Sequence, residues 1–264
     1  MLFRREFAGN AKSLIIWSLI IGGYAFLLLA NFQQMADALK AKKELLDAYP
    51  EGIKKAFGMD ELDLTTLVGF YGVQIYLMTT LLGSIFAAML AANIIAKEET
   101  DKTIEFLLSK PLTRTQIITQ KLLAVIVNIL ILNAFVTGLS LIAFQFAKEE
   151  VDIKPFTLLI IATVLLHLTF ATISFALSAL MKKTRSIVSI SLGIVLGSYF
   201  LNIMSGVTED LEDFKYLSFF KYVDAADIVK NNAIDALYVW IMVAVILVSV
   251  IFAYVYYQKK DIAV

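Results

Sequence analysis

The stretch Phe156-Thr-Leu-Leu-Ile-Ile-Ala-Thr-Val-Leu-Leu-His167-Leu-Thr-Phe-Ala-Thr-Ile-Ser-Phe-Ala-Leu-Ser-Ala-Leu-Met181 contains no charged side chain. A helix of about 20 apolar residues crosses a hydrocarbon core, so this run is long enough to span one. Five more stretches of that kind occupy roughly Ser13–Phe32, Leu64–Ala96, Thr115–Ala147, Ser186–Val207 and Ala236–Gln258. Two of them, the second and third spans in chain order, are overlong and must tilt or project beyond the bilayer. Backbone exposed to lipid has to pair its own amides, which leaves helices or closed barrels, and the alternating pattern of a barrel is absent. The sequence therefore predicts an all-α membrane protein, with six transmembrane helices in a single transmembrane domain over residues 1–264.

Composition agrees. Of 264 residues, 59% are hydrophobic and 17% charged, with mean hydropathy +0.78. Soluble domains are about half apolar and a quarter charged, and this chain departs toward the membrane on both counts. The absence of Cys excludes disulfides and thiolate metal sites, and one His offers no multi-ligand metal centre. Arg4 and Arg5 precede an apolar run, Leu14–Ala30, that is long for a signal-peptide core and lacks a small-x-small cleavage site; it reads as a retained span.

Charge is polarised although the net charge is zero. With the N-terminus inside, the inner segments carry Arg4, Arg5, Lys12, Lys97, Lys102, Lys110, Arg114, Lys121, Lys182, Lys183, Arg185, Lys259 and Lys260. They hold only six acids: Glu6, Glu98, Glu99, Asp101, Glu105 and Asp261. Basic residues favour the cytoplasmic side, so both termini are expected there. Leu2, Phe3 and Phe7 around Arg4 and Arg5 suit a short helix on the inner surface. On the outer side, Met35–Phe57 has an amphipathic pattern (Met35, Leu39, Leu45, Leu46, Tyr49) interrupted at Pro50. Thr208–Asn232 suggests a re-entrant or interfacial piece carrying Leu217, Phe219, Phe220 and Tyr222. No internal repeat is found.

The inner segment Lys97–Arg114 is the most informative. Ile104, Leu107 and Leu108 fall at i, i+3, i+4 on one face of a short helix, with Phe106 beside them and Pro111 ending it. Acids gather at its front, where they complement the helix dipole. Thr113 and Gln116 fit a capping box that starts the third span. A helix so placed is shaped either to dock in a groove on a cytoplasmic partner or to lie at the interface without one.

Within it, Glu99-Thr-Asp-Lys-Thr103-Ile-Glu105-Phe-Leu-Leu-Ser109-Lys-Pro111-Leu-Thr-Arg114, followed by Lys121, resembles the signature of type-two ABC exporter permeases. The closing Lys259-Lys-Asp261-Ile and the six-span layout resemble that family too. Many of its members have Gly where this chain has Lys102. The resemblance implies an amphipathic cytoplasmic coupling helix between spans two and three, seated in a separate ATPase subunit. Glu99, Thr103, Glu105, Phe106, Leu107 and Leu108 would make that contact, with Pro111 and Arg114 shaping the exit. It further implies a second permease copy (homodimer or heterodimer), ATP and magnesium held by the partner ATPase with no cofactor on this chain, and a multi-pass place among lipids of a prokaryotic cytoplasmic membrane. Consistently, the sequence has no G-x-x-x-x-G-K-[ST] phosphate loop. No nucleic-acid partner is expected.

Ser189, Gly193 and Gly197 form a row of small residues on the fifth span, suited to close helix approach either at a dimer interface or within the chain. Candidate pathway positions are only mildly polar: Asn128, Asn133, His167 and Thr169. No acid or Arg lies at the core of a span, which argues against an ion relay and against an intramembrane enzyme. A secondary transporter normally shows more spans and inverted repeats. An exporter subunit is the leading expectation. The alternative is a membrane transmitter that relays ATP-driven motion to an outer partner without conducting a substrate.

Overall fold

The computed structural model describes residues 2–41, 48–109, 111–147, 149, 151–207 and 209–260, and their side chains except those of Phe106, Leu108 and 209–212. Leu45, Leu46, Lys110 and Asp261 lie outside the described residues. The described chain is helical, without a strand. Helix α1 runs Leu2–Ala30, α2 Phe32–Ala41 and α3 Glu51–Ala56. The second span, α4, covers Leu67–Thr100 and includes a π-helical stretch, Tyr71–Tyr76. Then come α5 Ile104–Leu108, α6 Arg114–Ala147, α7 Ile153–Leu180 and α8 Thr184–Val207. Two 3-10 segments (Glu209–Leu217, Lys221–Val223), α9 Ala225–Asn231 and α10 Ala236–Lys259 complete it. Helices α1, α4, α6, α7, α8 and α10 are each long and apolar enough to cross a membrane.

The first helix corrects one expectation. Its N-terminal turns are continuous with the span and form no separate surface helix. Nothing between Phe7 and Ser13 breaks the helix, and the Asn10 side-chain amide donates back to the Glu6 carbonyl at 2.7 Å. The early turns instead lie along α6, where the Phe3 amide donates to Gln120 Oε1 at 3.0 Å.

Side-chain size decides which spans are central. In α4, 67% of the most apolar window is buried, against 11% in α10. Both are strongly apolar, but α4 presents Gly83, Ser84, Ala87, Ala88, Ala91, Ala92 and Ala96, and α7 presents Ala162, Thr163, Ala171, Ser178 and Ala179. Small residues let helix backbones approach where the membrane supplies no hydrophobic force between helices. Ser178 Oγ exploits the approach by donating to the Ala92 carbonyl at 2.8 Å and accepting from the amides of Ile95 and Ala96. Further along the same contact the imidazole of His167 lies on Gly83. A Cβ at position 83 would stand 2.2 Å from its Cε1.

The start of α1 and the end of α10 lie at one end of the bundle, with the described parts of the segments 101–113 and 181–183. The other end is capped by α2, α3, α9 and the 3-10 segments. Helix α3 begins directly after Pro50 and packs on the end of α8, where a Cβ on Gly52 would stand 2.7 Å from the Val207 carbonyl oxygen. Of the stretch read as re-entrant or interfacial, Ser218, Phe220 and Val223 turn into the bundle, while Phe214, Tyr216 and Leu217 stay exposed. Phe219 and Phe220 meet Phe170, each at 5.6 Å, and Tyr76 donates to the Val223 carbonyl at 2.7 Å. Asp224 caps α9, and burial holds its carboxyl above the ordinary carboxylate range. Burial pulls the neighbouring Lys221 ammonium down, but Asp224 and Asp227 outweigh it and leave it raised.

Gly83→Ala should cost about 1–3 kcal/mol by overpacking the α4–α7 contact, read as a lower thermal midpoint in detergent. Adding His167→Ala should restore part of the loss, because the clash is with that ring.

Candidate functional site

The segment between α4 and α6 is built from its ends inward. Helix α4 closes with the Thr103 amide on the Glu98 carbonyl (2.9 Å) and the Lys102 amide on the Glu99 carbonyl (3.4 Å), a Schellman arrangement. Its C′ position is Lys102, in the left-handed region at φ 56°. Lys102 thus holds a conformation that glycine adopts without steric cost. At the far end the expected capping box is present. The Gln116 amide donates to Thr113 Oγ1 at 3.2 Å, and the Thr113 amide donates to Gln116 Oε1 at 3.0 Å.

Between these ends, α5 places Ile104 and Leu107 against the bundle, with Leu107 only 1% exposed. Glu105, Ser109 and Pro111 face outward. The side chains of Phe106 and Leu108 lie outside the described residues. The exposed edge available to a partner thus includes Glu105 and Pro111, whereas Leu107 seats the helix on its own chain.

A charge cluster unseen in the sequence holds this seat. Lys121 Nζ lies 3.1 Å from both Glu6 Oε1 and Glu98 Oε1, and donates to the Ile94 carbonyl. Arg5 and Lys97 close around the same carboxylates, and Thr103 Oγ1 donates to Glu98 Oε2. The side chains of Lys121 and Glu6 are 1% and 0% exposed. Charges sealed from water survive only when paired and hydrogen-bonded, as these are. One signal in the sequence does find Glu6. It lies on the buried face of α1 that carries Leu2, Leu14, Ser18, Ala25 and Leu29.

Glu99, expected at the partner contact, and Arg114, expected to shape the exit of the loop, are both engaged inside the chain. Glu99 accepts from Lys260 at the end of α10. Arg114 Nη1 donates to the carbonyls of Tyr257, Gln258 and Lys260 at 3.3, 3.0 and 2.8 Å. A guanidinium on the last carbonyls of a helix satisfies acceptors that have no intrahelical donor and complements the dipole.

Elsewhere, Ser189, Gly193 and Gly197 all lie on the exposed face of α8, opposite the buried Ile187, Ser191 and Val195. A Cβ on either glycine would meet nothing within 4 Å, so intrachain packing does not explain the row. Asn128, Asn133, His167 and Thr169 are buried inside the bundle of this one chain. The Asn133 amide lies 3.1 Å from His167 Nδ1, and Asn128 and Thr169 donate to carbonyls of their own helices. Among the described residues no group of His, Asp and Glu is arranged to hold a metal ion.

Lys121→Met should leave Glu6 and Glu98 held only by the more exposed Arg5 and Lys97 and cost about 3 kcal/mol, read as a fall in thermal midpoint. Lys102→Gly should move the midpoint the other way by relieving left-handed strain of about 1 kcal/mol.

The family model described as ABC-2 family transporter protein matches residues 2–262, so the correspondence extends well beyond the loop to all six spans. No curated protein matches the chain. With six apolar helices and a family match over almost its whole length, the chain belongs to the ABC-2 family of transporter proteins and is a multi-pass membrane transport subunit.

Proposed function

We propose that this chain is the permease subunit of an ATP-driven exporter in a prokaryotic cytoplasmic membrane, moving its substrate with energy from a separate ATPase subunit. The observation that carries the reading is the anchored loop. Helix α5 is seated by Ile104 and Leu107, and its entry is fixed by the Glu98 and Thr103 contact. Glu105 and Pro111 are left on the outer edge. A short helix fixed at both ends transmits a push from a partner instead of absorbing it. In this reading the end carrying the chain termini is cytoplasmic, which agrees with the excess of basic residues there. ATP and magnesium belong to the partner.

A second permease copy completes the unit. The open row of Ser189, Gly193 and Gly197 on α8 supports a contact there, because it is the small-residue face that the chain leaves uncovered. The transmitter alternative draws on the opposite end, where Phe214, Tyr216 and Leu217 stand exposed. Cargo-stimulated ATP hydrolysis in reconstituted vesicles separates the two readings.

The direct test is affinity purification of the tagged protein in mild detergent. A soluble chain with a phosphate-loop motif should copurify in stoichiometric amount. Glu105→Lys should weaken its retention about tenfold, equivalent to ~1.4 kcal/mol, with the spans still inserted. Undiminished retention and unaltered ATP-driven activity in that variant would remove the coupling-helix assignment. Leu107→Asp is a less specific probe, since it buries a carboxylate under α5 and loosens the seat as well.

A further inference from the structure

Three consecutive residues at the end of α4 leave in three directions. Glu98 reaches α1 through Arg5 and α6 through Lys121. Glu99 accepts from Lys260 at the end of α10, and the same ammonium donates at 3.3 Å to the carbonyl of Met181, which closes α7. Thr100 shares a hydrogen bond of 2.8 Å with the Thr184 hydroxyl at the start of α8 and donates to the Lys182 carbonyl at 3.2 Å. Each of the other five spans is therefore tied to the turn from which α5 departs.

We propose that Glu98, Glu99 and Thr100 form a distributor that carries displacement of α5 into the other five spans, with Glu99–Lys260 as the arm to α7 and α10. The inference rests on the coupling role argued above and assigns its transmission to particular residues. These are positioning residues, since none of them needs to touch the partner. Shielding makes the arms stiff. The side chains of Lys260 and Glu99 are 3% and 10% exposed, so bulk water and salt screen the pair far less than a surface pair.

The Glu99 arm matters most for α10, because packing holds that helix least. Only Met242, Ala253 and Tyr257 of α10 are buried. Two of these, Ala253 and Tyr257, seat its inner end, which Lys260 and the Arg114 guanidinium on its last carbonyls fix further. Cutting Glu99 from Lys260 leaves α10 fixed to the start of α6 and packed along α7, with the Lys260–Met181 bond in place, but removes its polar link to α4. Loop motion would then reach α10 only indirectly, through α6 and α7, without the direct link from α4.

The test is backbone hydrogen exchange on the complete permease–ATPase complex in nanodiscs, without nucleotide and after trapping with ATP and vanadate. In the wild type, trapping should change exchange in residues 101–109 and 253–259 together. In Glu99→Gln the change should persist at 101–109 and shrink several-fold at 253–259, with the ATPase still bound. Without nucleotide, exchange at 253–259 should already be about tenfold faster, with the first turns of α1 unchanged. Lys260→Met, which cuts the arm from its other end, should reproduce both effects, and the swap Glu99→Lys with Lys260→Glu should restore the trapped response. A nucleotide-driven change at 253–259 that survives undiminished in both single variants would overturn the proposal. If no ATPase copurifies with the wild type, the exporter reading fails on its own, and the nucleotide-free comparison still decides the arm: equal exchange at 253–259 in wild type and Glu99→Gln would refute it.

Discussion

An ammonium group held between two carboxylates, almost out of reach of water, sets the terms for the end of the bundle where the chain begins and ends. Lys121 on α6 bridges Glu6 on α1 and Glu98 on α4, and any two of these charges would be costly to bury without the third. The cluster fixes the register of three helices against one another. It also explains why α1 is continuous from Leu2, since the early turns must lie along α6 for Glu6 to reach Lys121. A hydrophobic contact in the same place would tolerate sliding. A hydrogen-bonded charge network has one arrangement that satisfies every partner.

From that fixed point the loop inherits its geometry. Glu98 accepts from Thr103, which sets where α5 begins, and the Schellman turn through Lys102 sets the angle at which it leaves. The mirror device is Arg114, which starts α6 and caps the end of α10. A segment that would otherwise be a mobile connection is thereby clamped at entry and exit. Among its described side chains, Glu105, Ser109 and Pro111 stay on the outer edge. The same arrangement accounts for a division among neighbouring glutamates. Glu98 and Glu99 turn inward to other spans of the chain, while Glu105 alone of the loop's three glutamates faces outward.

The membrane half of the molecule obeys a different rule. Every span is apolar, so hydrophobicity does not rank them, and packing sorts them by side-chain size instead. Gly83 accepts the His167 ring, Ser178 of α7 bonds the backbone of α4, and the alanine row of α4 brings α7 close. The bulky, mostly exposed α10 remains at the periphery. His167 and Asn133 pair within this core, and Asn128 and Thr169 donate to carbonyls of their own helices. By contrast, the glycine row of α8 faces outward, where only a neighbour outside the chain can use it.

The number of spans, their helical nature, the short loop helix, the capping box at Thr113 and the grouping of basic residues at one end were all legible in the sequence. Each follows from local chemistry: the length of an apolar run, a period of 3.6 residues, or a side chain that reaches its own backbone. The family was legible for a similar reason, because its signature is a contiguous string. The pairing of Glu6 with Lys121, the inward turn of Glu99 and Arg114, the burial of Leu107 and the open face of α8 were not. Those depend on residues as much as 161 positions apart, as for Lys260 and Glu99. Sequence determined which segments enter the membrane, because the cost of burying a backbone or a charge is a local property. Tertiary structure alone decided which charges meet, because a charge can be buried only where the fold delivers its partner.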